Sequence, residues 1–181
     1  VFSVEDHQRS QHEVGLKSVG KKLAQEIPVK IMIAEDNLIN QKLVQNIFDG
    51  LGYKPVIVSN GLQVIEQIKK SDFDIIFMDV QMPEMDGLQA TKYIIEKIDP
   101  SRRPVIVAMT AFALEGDKAK CIEAGMDDYI SKPFLVEEIV ERIRKWGSEH
   151  SKKSADKMAT EASESKQIQQ KLLLDEKVLD R

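Results

Sequence analysis

The chain has 181 residues and a mass of 20.5 kDa, with 42% hydrophobic and 31% charged residues, a balance that excludes a wholly disordered, collagen-like or disulfide-built protein. Its one cysteine, Cys121, cannot form an internal bridge and fits a reducing, cytoplasmic setting. The net charge of −4 arises entirely in residues 29–147, which hold 15 basic and 19 acidic residues, while the segments on either side are balanced; this acidic excess argues against a nucleic-acid binder.

Residues 1–28 are polar, lack a sustained apolar period and read as an N-terminal linker, with at most one helical turn around Val19 to Ile27. The opening Val1 suggests a piece of a longer protein. From Val29 the pattern becomes regular. Val29–Ala34 is a short apolar run with β-branched residues, as expected of a buried strand. Asn37 can cap a helix in which Ile39, Leu43, Ile47 and Leu51 recur every four residues, ended by Gly50 and Gly52. Val56–Val58 is a second strand. Gly61–Lys70 is a second helix carrying Leu62, Ile65 and Ile68. Asp74–Met78 makes a third strand and Gly87 to Ile98 a helix with Leu88, Thr91, Ile94, Ile95 and Ile98 along one side. Pro104–Met109 is a fourth strand, followed by a weakly periodic helix over Ala113–Ala124. Asp128–Ser131 is a fifth strand, and Leu135–Trp146 closes the segment with Val136, Ile139, Val140, Ile143 and Trp146 on one face.

Apolar strands alternating with amphipathic helices five times over predict an α/β domain built on a parallel sheet covered on both sides. After Gly147 the composition shifts: residues 148–170 are rich in Ser, Lys, Ala, Glu and Gln and read as a flexible or loosely helical linker. Residues 171–181, with Leu172, Leu173, Leu174, Val178 and Leu179, read as the start of a further packed element. No apolar run approaches a membrane span, so no membrane contact is expected of this chain.

Polar residues that break the apolar pattern at the carboxyl ends of parallel strands are where chemistry is expected. Here Glu35 and Asp36 follow strand one, Asp79 follows strand three, Thr110 follows strand four, and Lys132-Pro133 follow strand five. The three histidines, His7, His12 and His150, lie outside residues 29–147, so any chemistry there uses carboxylates, hydroxyls and lysines. Three converging carboxylates repel one another unless a cation is present, and an all-oxygen acidic set suits a hard divalent ion, Mg²⁺ or Mn²⁺. Magnesium retains open positions for phosphate oxygens, and a carboxylate can attack phosphorus to give an acyl phosphate. Asp79, at the end of a central strand and before the turn Met82-Pro83-Glu84-Met85-Asp86-Gly87, is the best nucleophile.

At these residues the sequence resembles the receiver domains of two-component signalling. The resemblance rests on Ala34-Glu35-Asp36-Asn37, on Met78-Asp79 through Asp86-Gly87, on Met109-Thr110-Ala111, and on Asp128-Tyr129-Ile130-Ser131-Lys132-Pro133-Phe134. It covers residues 29–147. It implies a flavodoxin-like (βα)₅ three-layer sandwich with strand order 2-1-3-4-5. It implies that Asp79 is the phosphoacceptor, and that Glu35, Asp36, Asp79 and the backbone carbonyl of Gln81 hold Mg²⁺. Thr110 and Lys132 then contact the phosphoryl group, and Tyr129 is a switch aromatic that follows Thr110. A cis Lys132–Pro133 bond also belongs to the resemblance, and a bulky Phe112 beside the route of the hydrolytic water suggests slow self-dephosphorylation.

The flanks, Lys22 to Pro28 and Leu174 to Arg181, resemble the junctions of hybrid sensor histidine kinases, the second leading toward a phosphotransfer domain. The implied partners are a histidine kinase or phosphotransfer domain as phosphodonor or acceptor, and a second copy in a phosphorylation-dependent homodimer. The chain itself would catalyse only its own aspartyl phosphorylation and dephosphorylation. Two other readings compete. A phosphorylation-independent docking module would need only the fold, against which stands the complete acidic set. An aspartyl-nucleophile phosphatase would need a cap insertion, for which the short connections leave no room.

Overall fold

A computed structural model describes residues 23–111, 115–133 and 135–148. The readings made for residues 1–22, 149–181 and Phe112 lie outside these.

The described chain runs α1 (Leu23–Glu26), β1 (Ile31–Ala34), α2 (Leu38–Gly50), β2 (Val56–Val58), α3 (Gly61–Lys70), β3 (Ile75–Asp79), α4 (Gly87–Lys97), β4 (Val105–Thr110), α5 (Glu115–Glu123), β5 (Asp128–Ser131) and α6 (136–148). The strands form one parallel sheet in the order β2-β1-β3-β4-β5, as the resemblance implies. Strand ends differ from the sequence reading by one or two residues, since apolar flanks such as Val29 continue the pattern without continuing the ladder.

Successive strand residues point to opposite faces, so the β-branched runs feed two cores at once. Ile31, Ile33, Ile75, Phe77, Val105, Val107 and Met109 meet Val44, Ile47 and Phe48 of α2, its C-cap Leu51, and Ile139 and Ile143 of α6. Met32, Ala34, Ile76, Met78, Ile106 and Ala108 meet Val64, Ile65 and Ile68 of α3, Ala90 and Ile94 of α4, and Cys121 of α5. Phe48 packs edge-on against Phe77 with ring centroids 5.3 Å apart. Burying such aromatics accounts for about 3–5 kcal/mol apiece when they are truncated.

Two helices bury only part of the face their spacing suggested. In α2 the buried residues are Val44, Ile47 and Phe48, while Ile39 and Leu43 are 78% and 51% exposed. A strict four-residue spacing advances about 40° beyond a full turn at each step, so Ile39 and Leu51 lie on different sides of the helix. In α3, Val64 joins Ile65 and Ile68 inside, and Leu62 is 44% exposed.

Residues 23–28, read from sequence as part of a linker, pack into the core. Leu23 is fully buried in the α2–α6 cluster, and the Tyr53 hydroxyl donates to the carbonyls of Ile27 (2.7 Å) and Leu23 (3.3 Å). Burial, the largest influence, pushes the Tyr53 phenol up to about 12, with Glu26 adding to the rise and Arg144 opposing it. Helix α6 is fastened to β5 by Asp128, whose carboxylate accepts from Lys145 Nζ (2.8 Å) and Trp146 Nε1 (3.0 Å) and faces Arg142 Nε at 3.2 Å.

Candidate functional site

The strand order changes direction at β1: the chain leaves it toward β2 on one side and returns to β3 on the other. A parallel sheet with this reversal opens a crevice beyond the carboxyl ends of the two strands flanking the switch. The register then decides what lines it. Ala34 pairs with Met78, so Glu35 and Asp79 emerge side by side. Thr110 pairs with Ser131, which puts Lys132 one residue beyond Thr110 at the same edge. The outcome is a cleft of about 340 Å³ whose lining includes Glu35, Asp36, Asp79, Gln81, Thr110 and Lys132.

Each group is held. Glu35 is fully buried, and its Oε1 accepts from Asn40 Nδ2 at 3.0 Å and from the Asn37 amide at 3.3 Å. Asn37 is the N-cap of α2, its Oδ1 accepting from the amides of Ile39 and Asn40. Helix α2 therefore begins at the cleft because its cap is there. Asp79 is 6% exposed, and its Oδ1 accepts from the Gln81 amide at 3.1 Å. Lys132 bridges the two inner carboxylates, its Nζ 2.6 Å from Glu35 Oε2 and 2.6 Å from Asp79 Oδ2. The Lys132 amide donates to the Thr110 carbonyl at 2.7 Å, and the following Lys132–Pro133 bond is cis, as the resemblance implies.

The electrostatics follow from burial. Desolvation pushes the Asp79 carboxyl above its ordinary 3.8, outweighing the hydrogen bond and charge of Lys132 and the Gln81 amide. For Lys132 burial is again the largest single influence and works against its charge. The hydrogen bonds and charges of Asp79 and Glu35 together outweigh it and hold the amine above 10.5. A buried carboxylate with a raised pKa is a more basic, less solvated oxygen and so a better nucleophile once deprotonated.

Among the described residues, Glu35, Asp36 and Asp79 are the one group of three or more potential metal ligands, with ligand atoms within 4.8 Å of one another. Lys132 pairs with two of the three carboxylates, and the donors are hard oxygens. The set fits a divalent cation of the Mg²⁺ type and gives a soft transition metal no sulfur or imidazole.

Six of the seven sequence-selected positions meet at this cleft. Tyr129 does not line it: its half-buried ring lies under Lys118 Nζ, 4.4 Å from the ring centroid. Sequence reasoning gave no place at the site to Asn40, which braces Glu35, or to Cys121, which is buried in the cleft wall. It also passed over Gly87, where a Cβ would lie 2.2 Å from the Asp79 carbonyl, so that α4 can start against the strand end only without a side chain. The pair Asp86-Gly87 carried that signal: Asp86 caps α4 in a reciprocal box with Gln89.

Comparison with known proteins places this geometry. A polar-differentiation response regulator, DivK of Brucella anthropi, is 36% identical over 120 residues, covering 66% of this chain and 97% of that protein. Hybrid signal transduction histidine kinase H of Dictyostelium discoideum is 43% identical over 124 residues, covering 66% of this chain; the chain spans only 9% of that kinase. Among solved structures, the receiver domain of a sensor histidine kinase from Pseudomonas aeruginosa superposes with a TM-score of 0.61 at 36% identity. It covers 66% of this chain and 98% of that one, and holds a magnesium ion in its active-site cleft. The response regulator receiver domain model matches residues 31–144. The strand order, the carboxylate cleft and this match agree: the chain belongs to the response regulator receiver domains of two-component signalling.

Proposed function

We propose that the chain accepts a phosphoryl group on Asp79 from a phosphohistidine and returns it to water or to a second histidine. The observation that carries this reading is the Asp79 carboxylate, buried at the end of β3 with one oxygen on Lys132 and the Glu35 and Asp36 carboxylates close by. An Asp79 oxygen attacks phosphorus, the P–N bond of the phosphohistidine breaks, and the departing imidazole nitrogen takes a proton. Glu35, Asp36, Asp79 and the Gln81 carbonyl would hold the divalent cation, which when bound neutralises the crowded carboxylates and the phosphoryl oxygens. Lys132, already paired with Asp79, is placed to follow the negative charge onto the phosphoryl group. Thr110, buried at the neighbouring strand end, supplies a hydroxyl. Its movement toward the phosphoryl oxygen would draw on Tyr129 and α5 and alter the surface they form.

The phosphodonor is a histidine kinase or a phosphotransfer domain. Supporting this, the residues next to the cleft on α2 are apolar and outward: Leu38, Ile39 and Leu43 are 69%, 78% and 51% exposed. A helix presenting a phosphohistidine could rest on them while its imidazole reaches Asp79. The parent protein is read as a hybrid histidine kinase, with residues 29–147 as the receiver, residues 23–28 packed on its core, and linkers at 1–22 and 148–170.

Incubation of the whole chain with a small acyl-phosphate donor and Mg²⁺, followed by intact-mass measurement, tests the assignment. One phosphoryl group should appear on the wild type, depend on Mg²⁺ and be absent from Asp79→Asn. No incorporation in the wild type, or equal incorporation in Asp79→Asn, would overturn it.

A further inference from the structure

The connection from β3 to α4 carries a backbone feature that the reaction above does not use. Met85 N donates to Pro83 O at 2.7 Å, closing a three-residue turn around Glu84, and Glu84 has φ +65°. Among the described residues it is the one non-glycine with positive φ. A side chain in that region is strained, a cost that glycine would avoid. Glu84 is exposed, so packing gives no reason for a side chain there. Its carboxylate does have a partner: Asn60 Nδ2 donates to Glu84 Oε1 at 3.1 Å.

Asn60 is 5% exposed and lies 24 residues earlier, at the start of α3. Its other amide atom, Oδ1, accepts from the Gln63 amide at 2.9 Å as the helix N-cap. Since only an oxygen can meet that N–H, the NH₂ group must be the one facing Glu84. A second tie runs alongside. Gly61 N donates to Met85 O at 2.9 Å, and a Cβ on Gly61 would lie 2.6 Å from Met85 Cγ and 2.7 Å from Met85 O. At its far end the same loop is pinned by Gly87 N donating to Val80 O at 3.0 Å. Gln81 lies inside this doubly anchored loop, its amide on Asp79 Oδ1 and its residue in the cleft wall with Asp36 and Asp79.

We propose that Asn60 is a positioning residue for the cation-binding loop: its side-chain amide holds Glu84 in the left-handed turn and so presets the Gln81 carbonyl at the cleft. The proposal rests on the reading of the carboxylate cleft as a divalent-cation site. Its physical content is preorganisation. A loop already fixed loses little freedom when its carbonyl takes up a cation, and groups that orient ligands from behind typically contribute about 10–100-fold in metal affinity.

The test is calorimetric titration of the whole chain with Mg²⁺, paired with thermal unfolding in the absence of metal. Asn60→Asp keeps the helix cap but sets a carboxylate against Glu84, and should weaken Mg²⁺ binding about tenfold. Glu84→Gly removes the brace and the backbone strain together. It should weaken binding similarly while leaving the metal-free midpoint unchanged or higher, a divergence that loss of folding does not produce. Asn60→Asp combined with Glu84→Gln restores a hydrogen bond of reversed direction and should recover most of the affinity. In acyl-phosphate labelling the single variants should need more Mg²⁺ for half-maximal rate yet reach the wild-type rate at saturation. The proposal is overturned if Asn60→Asp and Glu84→Gly bind Mg²⁺ like the wild type, if Glu84→Gly loses affinity and stability together, or if the double variant recovers nothing. A wild type that binds no Mg²⁺ would instead remove the cation reading itself, and the proposal with it.

Discussion

At the scale of single residues, the buried pair of Asp79 and Lys132 sets a conflict between folding and chemistry. Asp79 has a folded pKa raised above its ordinary 3.8, mainly by burial. The folded state therefore holds that proton more tightly than the unfolded chain. This group's contribution to stability declines as pH rises from 3.8 through the folded value, and the loss persists at neutral pH. Asp79→Asn, neutral and nearly isosteric, is accordingly expected to raise the metal-free midpoint at pH 7, with the gain shrinking as pH falls toward 3.8; thermal unfolding across pH measures it. A variant less stable than wild type at pH 7 would show that the Lys132 pair outweighs desolvation. Lys132 works in the opposite sense. Its raised pKa means that its pairing stabilises the fold throughout the range below 10.5 and is lost only above it. The chemical identities at the cleft were legible in sequence because carboxylates and a lysine at the ends of apolar runs have few structural reasons to be there. The Asn60–Glu84 brace was not. Its two halves are 24 residues apart, and nothing in either residue type announces a left-handed backbone.

Among elements, α6 depends on a charge network at its carboxyl-terminal half. The Asp128 carboxyl is largely buried, which alone would raise its pKa, but Lys145, the Tyr129 amide, Trp146 and Arg142 together bring it below 3.8. That contribution is present above 3.8 and lost as pH falls through the lower folded value. Asp128→Asn should cost about 1–3 kcal/mol at pH 7, measured by urea denaturation, because charge-assisted bonds weaken and Arg142 keeps, among the described residues, only its exposed partner Glu141 as counter-charge. The penalty should vanish in acid. Apolar periodicity located α2 to α6 but oriented them unevenly. For α6 Val136, Ile139, Val140 and Ile143 fall at i, i+3, i+4 and i+7 and match the buried face. For α2 the uniform spacing of four mixes two faces, one buried in the core and one turned outward beside the cleft. A sequence cannot show which of two apolar stripes meets the sheet.

For the whole molecule, the packing of residues 23–28 sets where the stable unit begins. Removing residues 1–22 should leave the urea midpoint of the receiver unchanged, whereas removing residues 1–28 strips Leu23 and the Tyr53 hydrogen bonds from the α2–α6 core. The longer deletion is expected to cost at least the 2–5 kcal/mol typical of emptying a leucine site, and Leu23→Ala in the whole chain should reproduce most of it. Equal midpoints for the two deletions would make the segment dispensable. This extent was hidden in the sequence because Leu23-Ala24-Gln25-Glu26 is too short for periodicity to speak. The sheet order, by contrast, followed from family motifs that composition alone does not contain.

Trp146 gives the fold an optical address. It is the chain's one tryptophan, with its indole Nε1 on Asp128 and Lys145 Nζ 4.4 Å from its ring centroid. All tryptophan emission from this protein therefore originates where the end of α6 packs on Asp128 at the start of β5, the residue next to Tyr129, in a setting of fixed charges. An emission change on phosphorylation would report altered packing or charge around that indole, so an unmodified sample already carries the probe for following that side of the molecule in real time.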